Sequence, residues 1–250
     1  MDAETLTWIV ASGMATGIGG LTLLLVRDPS TRTLDVLLGF TGGVMLAATA
    51  FSLLVPGLER GGVAEVTAGL AVGCGFLVAL DALMPHSHER FSERGSRATD
   101  GRSARERARL LLAALTIHNI PEGLAVGLAF AAGGTELGIP LALAIGIQNI
   151  PEGFAAAAPL LQARRGRGFA AGVAALTGAV EPPAAVAAFF AFDTFDAMLP
   201  FGFGFAAGAM LYVVVDELIP ESHGHGFERE ASLALVAGFA MLMVLDSALG

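Results

Sequence analysis

The stretch LTIHNIPEGLAVGLAFAAGGTELGIPLALAIGIQNIPEGF, residues 115–154, carries nearly the same motif twice, as HNIPEG at 118–123 and as QNIPEG at 148–153. Each copy places a glutamate, an asparagine and a proline inside an apolar run. The midpoint between the copies falls in the short link GGTE, residues 133–136. Two antiparallel helices joined there put both motifs at one depth, roughly 22 Å from the link at 1.5 Å per residue. We therefore expect the motifs to face each other.

The whole chain has the composition of an integral membrane protein. Of its 250 residues, 54% are hydrophobic and 15% are charged, and the mean hydropathy is +0.70. The apolar runs last about 18 to 25 residues, which is enough for a helix to cross a bilayer core of roughly 30 Å. We predict an all-α membrane protein with a single transmembrane domain, residues 1–250, and a cytoplasmic loop at about 86–107. The eight predicted transmembrane helices cover about 5–26, 33–55, 63–85, 108–132, 138–161, 168–191, 199–220 and 230–249.

The distribution of arginine predicts the orientation, because short cytoplasmic loops collect positive charge. Lysine is absent, and of the 14 basic residues 13 lie in the loops of one side while only Arg60 lies on the other. This places both termini outside. The first helix has no basic segment before it, so we expect no cleaved signal peptide. The net charge of −9 gives no support to a nucleic-acid partner, and a single cysteine excludes a cysteine-based zinc site.

The two motifs group polar side chains on helix faces. His118 and Glu122 are four residues apart and share a face, while Asn119 lies three residues from Glu122. The second copy repeats this arrangement with Gln148, Asn149 and Glu152. A carboxylate at the membrane centre costs about 2.5–3.5 kcal/mol on insertion scales, and these helices contain no lysine or arginine to pair with it. A bound cation or a proton can fill that role. The alternative is protonated glutamates that hydrogen-bond neighbouring helices together.

The ligand set indicates which cation. One imidazole from His118 with carboxylate oxygens from Glu122 and Glu152 suits zinc, iron(II), cobalt or manganese. Magnesium and calcium prefer oxygen alone. Gln148 can add an amide oxygen. The sequence therefore predicts a transition-metal site between the two helices.

Two further residues lie at a similar depth. Glu181 precedes Pro182 and Pro183, which interrupt helical hydrogen bonding and so favour a site lined by protein or water. Met45 could offer a thioether to a metal, although most methionines in membrane helices simply pack. Spacing alone leaves both readings of Met45 open.

Two similar segments end the third and seventh predicted helices on the cytoplasmic side. They share the pattern D-x-L-[MI]-P-x-S-H, residues 81–88 and 216–223. Polar capping of helix ends is the alternative explanation. The pattern favours an exit pathway for the side chains a few residues inside the helices, Asp81, Asp216 and Glu217. For the others, Glu221 and the loop histidines His86, His88, His223 and His225, pathway and capping remain equal alternatives.

These features together resemble the ZIP (Zrt/Irt-like protein) family of divalent-metal transporters, particularly its prokaryotic members. The resemblance rests on HNIPEG, QNIPEG, Glu181, the histidine-bearing loop after residue 85 and the eight predicted helices, and it covers essentially the whole chain. It implies transport toward the cytoplasm by alternating access, with one helix bundle sliding against another. Residues 81, 86, 88, 216 and 217 would then resemble the exit route.

The resemblance also implies a division of the ligands into two sites. The first would use Met45, His118, Glu122, Gln148 and Glu152; the second would use Asn119, Asn149 and Glu181, and the two motif glutamates would bridge them. Some relatives carry aspartate where this chain has Asn149. The amide leaves Glu181 as the only additional charge, so we expect the second site to be weak or auxiliary.

The predicted function is uptake of divalent transition-metal cations, with zinc as the expected cargo and iron, manganese, cobalt or cadmium as further cargo. We expect no enzyme activity and no cofactor. An intramembrane metalloprotease would need two histidines and a glutamate in an H-E-x-x-H arrangement, whereas only His118 lies within the membrane. A metal-binding sensor or scaffold without flux remains the alternative. The expected location is the plasma (inner) membrane, the expected partners are metal ions and lipid, and a homodimer is compatible with the sequence.

Overall fold

The computed structural model describes residues 1–25, 29–83, 104–162 and 166–249. Within these ranges all regular secondary structure is helical. The α-helices are α1 (Ala3–Thr22), α2 (Thr31–Ala47), α3 (Val55–Arg60), α4 (Val63–Leu83), α5 (Ala104–Gln162), α6 (Arg167–Gly178), α7 (Glu181–Thr194), α8 (Leu199–Val213), α9 (Ile219–Ser222) and α10 (Glu228–Leu249). Two π-helical segments, Ala48–Leu54 and Val214–Leu218, and a short 3₁₀ turn, Asp196–Met198, connect some of them.

Six helical segments within the described residues are long and apolar enough to cross a membrane. They are Thr31–Arg60, Val63–Ala82, Leu115–Ala158, Arg167–Thr194, Asp196–Ser222 and Glu228–Ala248. The segment Leu115–Ala158 counts as one of the six, although it contains most of two predicted spans, 108–132 and 138–161. Helix α1 is not among the six. The eight spans proposed from the sequence thus remain a prediction.

Helix α1 combines a capped start with a polar, glycine-rich face. The backbone N–H of Thr5 donates to Asp2 Oδ1 at 2.8 Å, and this bond holds the pKa of the exposed Asp2 below its usual value of 3.8. Ser12 and Thr16 are buried further along the helix, as are four glycines. This face packs closely against the neighbouring helices α5 and α6.

The long helix α5 is broken in the middle, at the link that the sequence predicts. Gly133 and Gly134 leave the helical conformation, and Gly134 has φ 57° and ψ −138°, a backbone conformation open essentially only to glycine. The helix continues through Pro121 and Pro151 without a further non-helical residue. The predicted antiparallel arrangement of the two motif-bearing arms is therefore present. Neither Pro121 nor Pro151 breaks the helical conformation of its arm.

The helices pack in two groups joined by α5. In the first group α1 packs against α5 and α6, and α5 packs against α7. In the second group α10 packs against α2, and α4 packs against α8. Helix α5 also contacts α2 and α8, so its two motifs lie where the groups meet. The break between α6 and α7 places Glu181 as the first residue of α7, directly before the two prolines, as the sequence suggests.

Candidate metal centre

The two motifs meet through their polar side chains. Gln148 Nε2 donates a hydrogen bond of 2.5 Å to Glu122 Oε1, which joins the two arms of α5 across the helix pair. The other polar atoms of this pair, Glu122 Oε2 and Gln148 Oε1, have no hydrogen-bond partner and are buried. The expectation that HNIPEG and QNIPEG face each other is confirmed.

Three buried carboxylates lie near this contact. Glu122, Glu152 and Glu181 are exposed by only 1%, 4% and 1%. Glu152 lies close enough to both of the others for their charges to interact. Among the described residues none of the three pairs with arginine, and Glu152 Oε2 also lacks a hydrogen-bond partner. A concentration of buried negative charge without a cationic side chain is unfavourable unless a cation or protons join it.

Glu181 and Asn149 form a second polar cluster beside the first. Asn149 Nδ2 lies 2.9 Å from each carboxylate oxygen of Glu181 and donates to the carbonyl oxygen of Ser12 at 3.0 Å. The hydroxyl of Thr16 lies 3.4 Å from Glu181 Oε1. Both oxygens of Glu181 therefore accept hydrogen bonds from neutral donors, whereas Glu122 and Glu152 each have one oxygen without a hydrogen-bond partner.

Asn119 and Met45 have different surroundings. Asn119 is fully buried, and neither atom of its amide has a hydrogen-bond partner. An unpartnered amide in such a position is costly unless a ligand satisfies it. Met45 is fully buried within the main apolar core, so its side chain has a packing role whatever else it does.

His118 is held by a residue that the sequence assigned to the exit route. Its Nδ1 lies 2.9 Å from Glu217 Oε2, and both side chains are largely buried. Glu152 and Asp81 also lie within electrostatic range of His118. The HNIPEG motif and the acidic residues predicted for the exit route are thus in contact rather than separated.

The structure describes three of the residues predicted for the exit route, and these three lie in one region. Asp81, Asp216 and Glu217 all lie within electrostatic range of Tyr212. His86 and His88 lie outside the described residues.

The side chains as they stand do not form a closed metal cage. In the described ranges no three histidine, cysteine, aspartate or glutamate side chains converge closely enough to hold a metal ion. Glu122 is engaged by Gln148 and His118 by Glu217. A metal bound by this set would therefore replace some of the present side-chain contacts.

Two polar contacts were not foreseen. His225 Nδ1 lies 3.0 Å from Asp35 Oδ1, and Asp35 is fully buried near the start of α2. Ser52 donates to Asp246 Oδ1 at 3.1 Å, which places Asp246 beside the π-helical segment Ala48–Leu54. A carboxylate within an apolar helix was the available signal in both cases, but sequence spacing does not identify partners that lie far apart in the chain.

Removing His225 is expected to destabilise the fold. In His225→Ala, both carboxylate oxygens of buried Asp35 lack a partner, because Oδ2 already has none. We expect a loss of about 1–3 kcal/mol in the free energy of unfolding, measured by thermal unfolding in detergent. In an Asp35→Asn background the same change should have a much smaller effect. Equal losses in both backgrounds would show that the pair contributes nothing.

Comparison with known proteins agrees with these features. The sequence profile of the ZIP zinc transporter family matches residues 81–246. The chain is 42% identical over 248 residues to zinc transporter GufA of Myxococcus xanthus, with 96% of each chain covered. It is also 42% identical to zinc transporter ZIPB of Bordetella bronchiseptica, covering 94% of this chain and 78% of that protein. Zinc transporter ZupT of Corynebacterium efficiens is 36% identical, with 93% and 92% covered.

Proposed function

The chain belongs to the ZIP zinc transporter family, and on that basis we propose that it carries divalent transition-metal cations, zinc above all, across a membrane toward the cytoplasm. It is a multi-pass membrane protein and a transporter rather than an enzyme. Iron, manganese, cobalt and cadmium are the further cargo that a mixed nitrogen and oxygen ligand set would accept.

The observation that carries the proposal is the buried negative charge where the two groups of helices meet. Glu122 and Glu152 each have an unpartnered carboxylate oxygen, and His118 and Gln148 lie beside them with donors suited to a borderline metal. A divalent cation would neutralise the two carboxylates and satisfy their free oxygens.

We assign the ligands to two sites. The first comprises Met45, His118, Glu122, Gln148 and Glu152, and the second comprises Asn119, Asn149 and Glu181 with the motif glutamates as bridges. The unpartnered amide of Asn119 supports its place in the second site. The hydrogen bonds from Asn149 to Glu181 support a second site that is already satisfied without metal.

Transport would proceed by alternating access through this central site. The division into two helix groups, with the ligands at their junction, suits a sliding of one group against the other. Metal would leave past Asp81, His86, His88, Asp216 and Glu217. We further propose eight transmembrane helices with both termini outside, in the plasma (inner) membrane, and a homodimer is compatible with the sequence.

Radiolabelled zinc uptake into liposomes that contain the purified protein tests this function. The result expected is accumulation above that of empty liposomes, with competition by other divalent transition metals. A metal sensor or scaffold would bind zinc in the same preparation but never accumulate it. Imposed pH gradients in parallel show whether the flux is coupled to protons.

The proposed auxiliary role of the second site gives a prediction of its own. We expect Asn119→Ala and Glu181→Ala to lower zinc uptake only partly, because the first site keeps both motif glutamates and His118. Initial uptake rates at saturating and limiting zinc would be compared with those of Glu122→Ala. If both variants lost uptake as completely as Glu122→Ala, the second site would be essential and the assignment wrong.

A further inference from the structure

The contact between His118 and Glu217 joins the two groups of helices. His118 lies on α5, and Glu217 lies on the π-helical segment Val214–Leu218 that follows α8. The distance from His118 Nδ1 to Glu217 Oε2 is 2.9 Å, with side-chain exposures of 10% and 18%. In such shielded surroundings a hydrogen bond between carboxylate and imidazole is stronger than at a surface.

This contact fixes which nitrogen of His118 can bind a metal. An imidazole has two nitrogens, and a carboxylate at one of them sets the ring orientation and the tautomer. Glu217 occupies Nδ1, while in the described part of the chain no hydrogen bond engages Nε2. Nε2 is therefore the nitrogen left for a ligand.

Glu217 lies within a π-helical segment. A π turn inserts one residue into a helix and re-aims the side chains that follow, and such turns concentrate at functional sites. Here the segment includes both Asp216 and Glu217.

We propose that Glu217 is a positioning residue for metal binding: by holding Nδ1 of His118 it presents Nε2 to the central site, and it affects zinc binding only through His118. This inference rests on the proposed transport function and deepens it. It differs from a role for Glu217 as a ligand of the leaving metal, in which the carboxylate would contact zinc directly and its effect would not depend on His118.

A double-mutant cycle separates these roles. Zinc affinity is measured in detergent for the wild-type protein, Glu217→Gln, His118→Ala and the double variant, with Glu136→Gln as a control that removes an exposed carboxylate. We expect Glu217→Gln to weaken binding about 10- to 100-fold in the wild-type background, as loss of a partner to a metal-bound histidine does elsewhere. In the His118→Ala background we expect less than about a twofold change. An equal loss in both backgrounds overturns the proposal.

Two further measurements keep the test decisive. If His118→Ala binds zinc too weakly to measure, nitrogen NMR of ¹⁵N-histidine-labelled protein reports the tautomer of His118. We expect the proton on Nδ1 in the wild-type protein and a changed tautomer in Glu217→Gln, and an unchanged signal overturns the proposal. If Glu217→Gln does not fold, Glu217→Asp, which keeps the carboxylate but shortens its reach, takes its place in the cycle.

Uptake measurements distinguish a failure of this inference from a failure of the proposed function. Glu217→Gln in liposomes should raise the KM for zinc with little change in maximal rate, whereas loss of folded protein would lower the maximal rate alone. Coupling between His118 and Glu217 without zinc flux in the wild-type protein would refute transport but retain the positioning role. Flux without coupling would refute only the positioning role.

Discussion

Replacing Glu122 or Glu152 with alanine is expected to abolish zinc uptake. Each change removes a carboxylate that is almost fully buried and has an unpartnered oxygen at the junction of the two helix groups. Without it, a divalent cation at this place keeps a net positive charge in a region of low dielectric. In other metal proteins, loss of a residue that only hydrogen-bonds a metal ligand lowers metal affinity about 10- to 100-fold. Loss of a ligand itself should therefore lower zinc affinity at least about 100-fold.

The matched controls separate charge from volume and from location. Glu122→Gln and Glu152→Gln keep the side-chain volume and should lose uptake nearly as fully as the alanine variants. Glu136→Gln removes a carboxylate from the exposed link near Gly134 and should transport normally. The measurement for all of these variants is the initial rate of radiolabelled zinc uptake. It is corrected for the amount of folded protein in the liposomes. Wild-type rates in the Glu152 variants would exclude that residue from the pathway.

Replacing Gly127 with alanine is expected to prevent stable packing of α5 against α7. A Cβ atom on Gly127 would lie 1.9 Å from the carbonyl oxygen of Ala185, which is backbone and cannot rotate away. The two helices would have to separate, and the loss of their contact should cost about 3 kcal/mol or more. We expect little monodisperse protein in detergent and a lower temperature of thermal unfolding.

Gly146 on the same helix provides the control. The nearest atom to a Cβ built there is 3.6 Å away, an ordinary van der Waals distance. Gly146→Ala should be neutral or stabilise by about 0.5–1 kcal/mol, because alanine has the better helix propensity. If both variants behaved alike, close packing at Gly127 would not govern the stability of this helix pair.

The sequence determined the arrangement of α5 because its signals are local and repeated. The two motifs and the GGTE link define two arms of equal length, and the structure breaks the helix at Gly133 and Gly134. The break before Glu181 was likewise readable from Pro182 and Pro183. The π-helical segments were not readable, because a π turn requires no particular residue type and arises from tertiary packing.

The sequence predicted which residues belong to the candidate site better than it predicted their side-chain contacts. Residue spacing indicated that Gln148 and Glu122 share a depth, and they are hydrogen-bonded. Spacing did not indicate that Glu217 reaches His118, since the two residues lie on different helices and about 100 positions apart in the chain. The ligand role of Met45 remains a prediction, because burial in the core is compatible with both packing and metal binding.

X-ray absorption at the zinc edge, with one equivalent of zinc per chain, tests most directly whether the two motifs jointly hold the metal. For the wild-type protein we predict a first shell of nitrogen and oxygen that includes the outer scattering of an imidazole ring, with a sulfur scatterer if Met45 takes part. His118→Ala should lose the imidazole scattering, and Glu152→Ala should lose an oxygen ligand. An imidazole signature that persisted unchanged in His118→Ala would place the metal elsewhere and contradict the account.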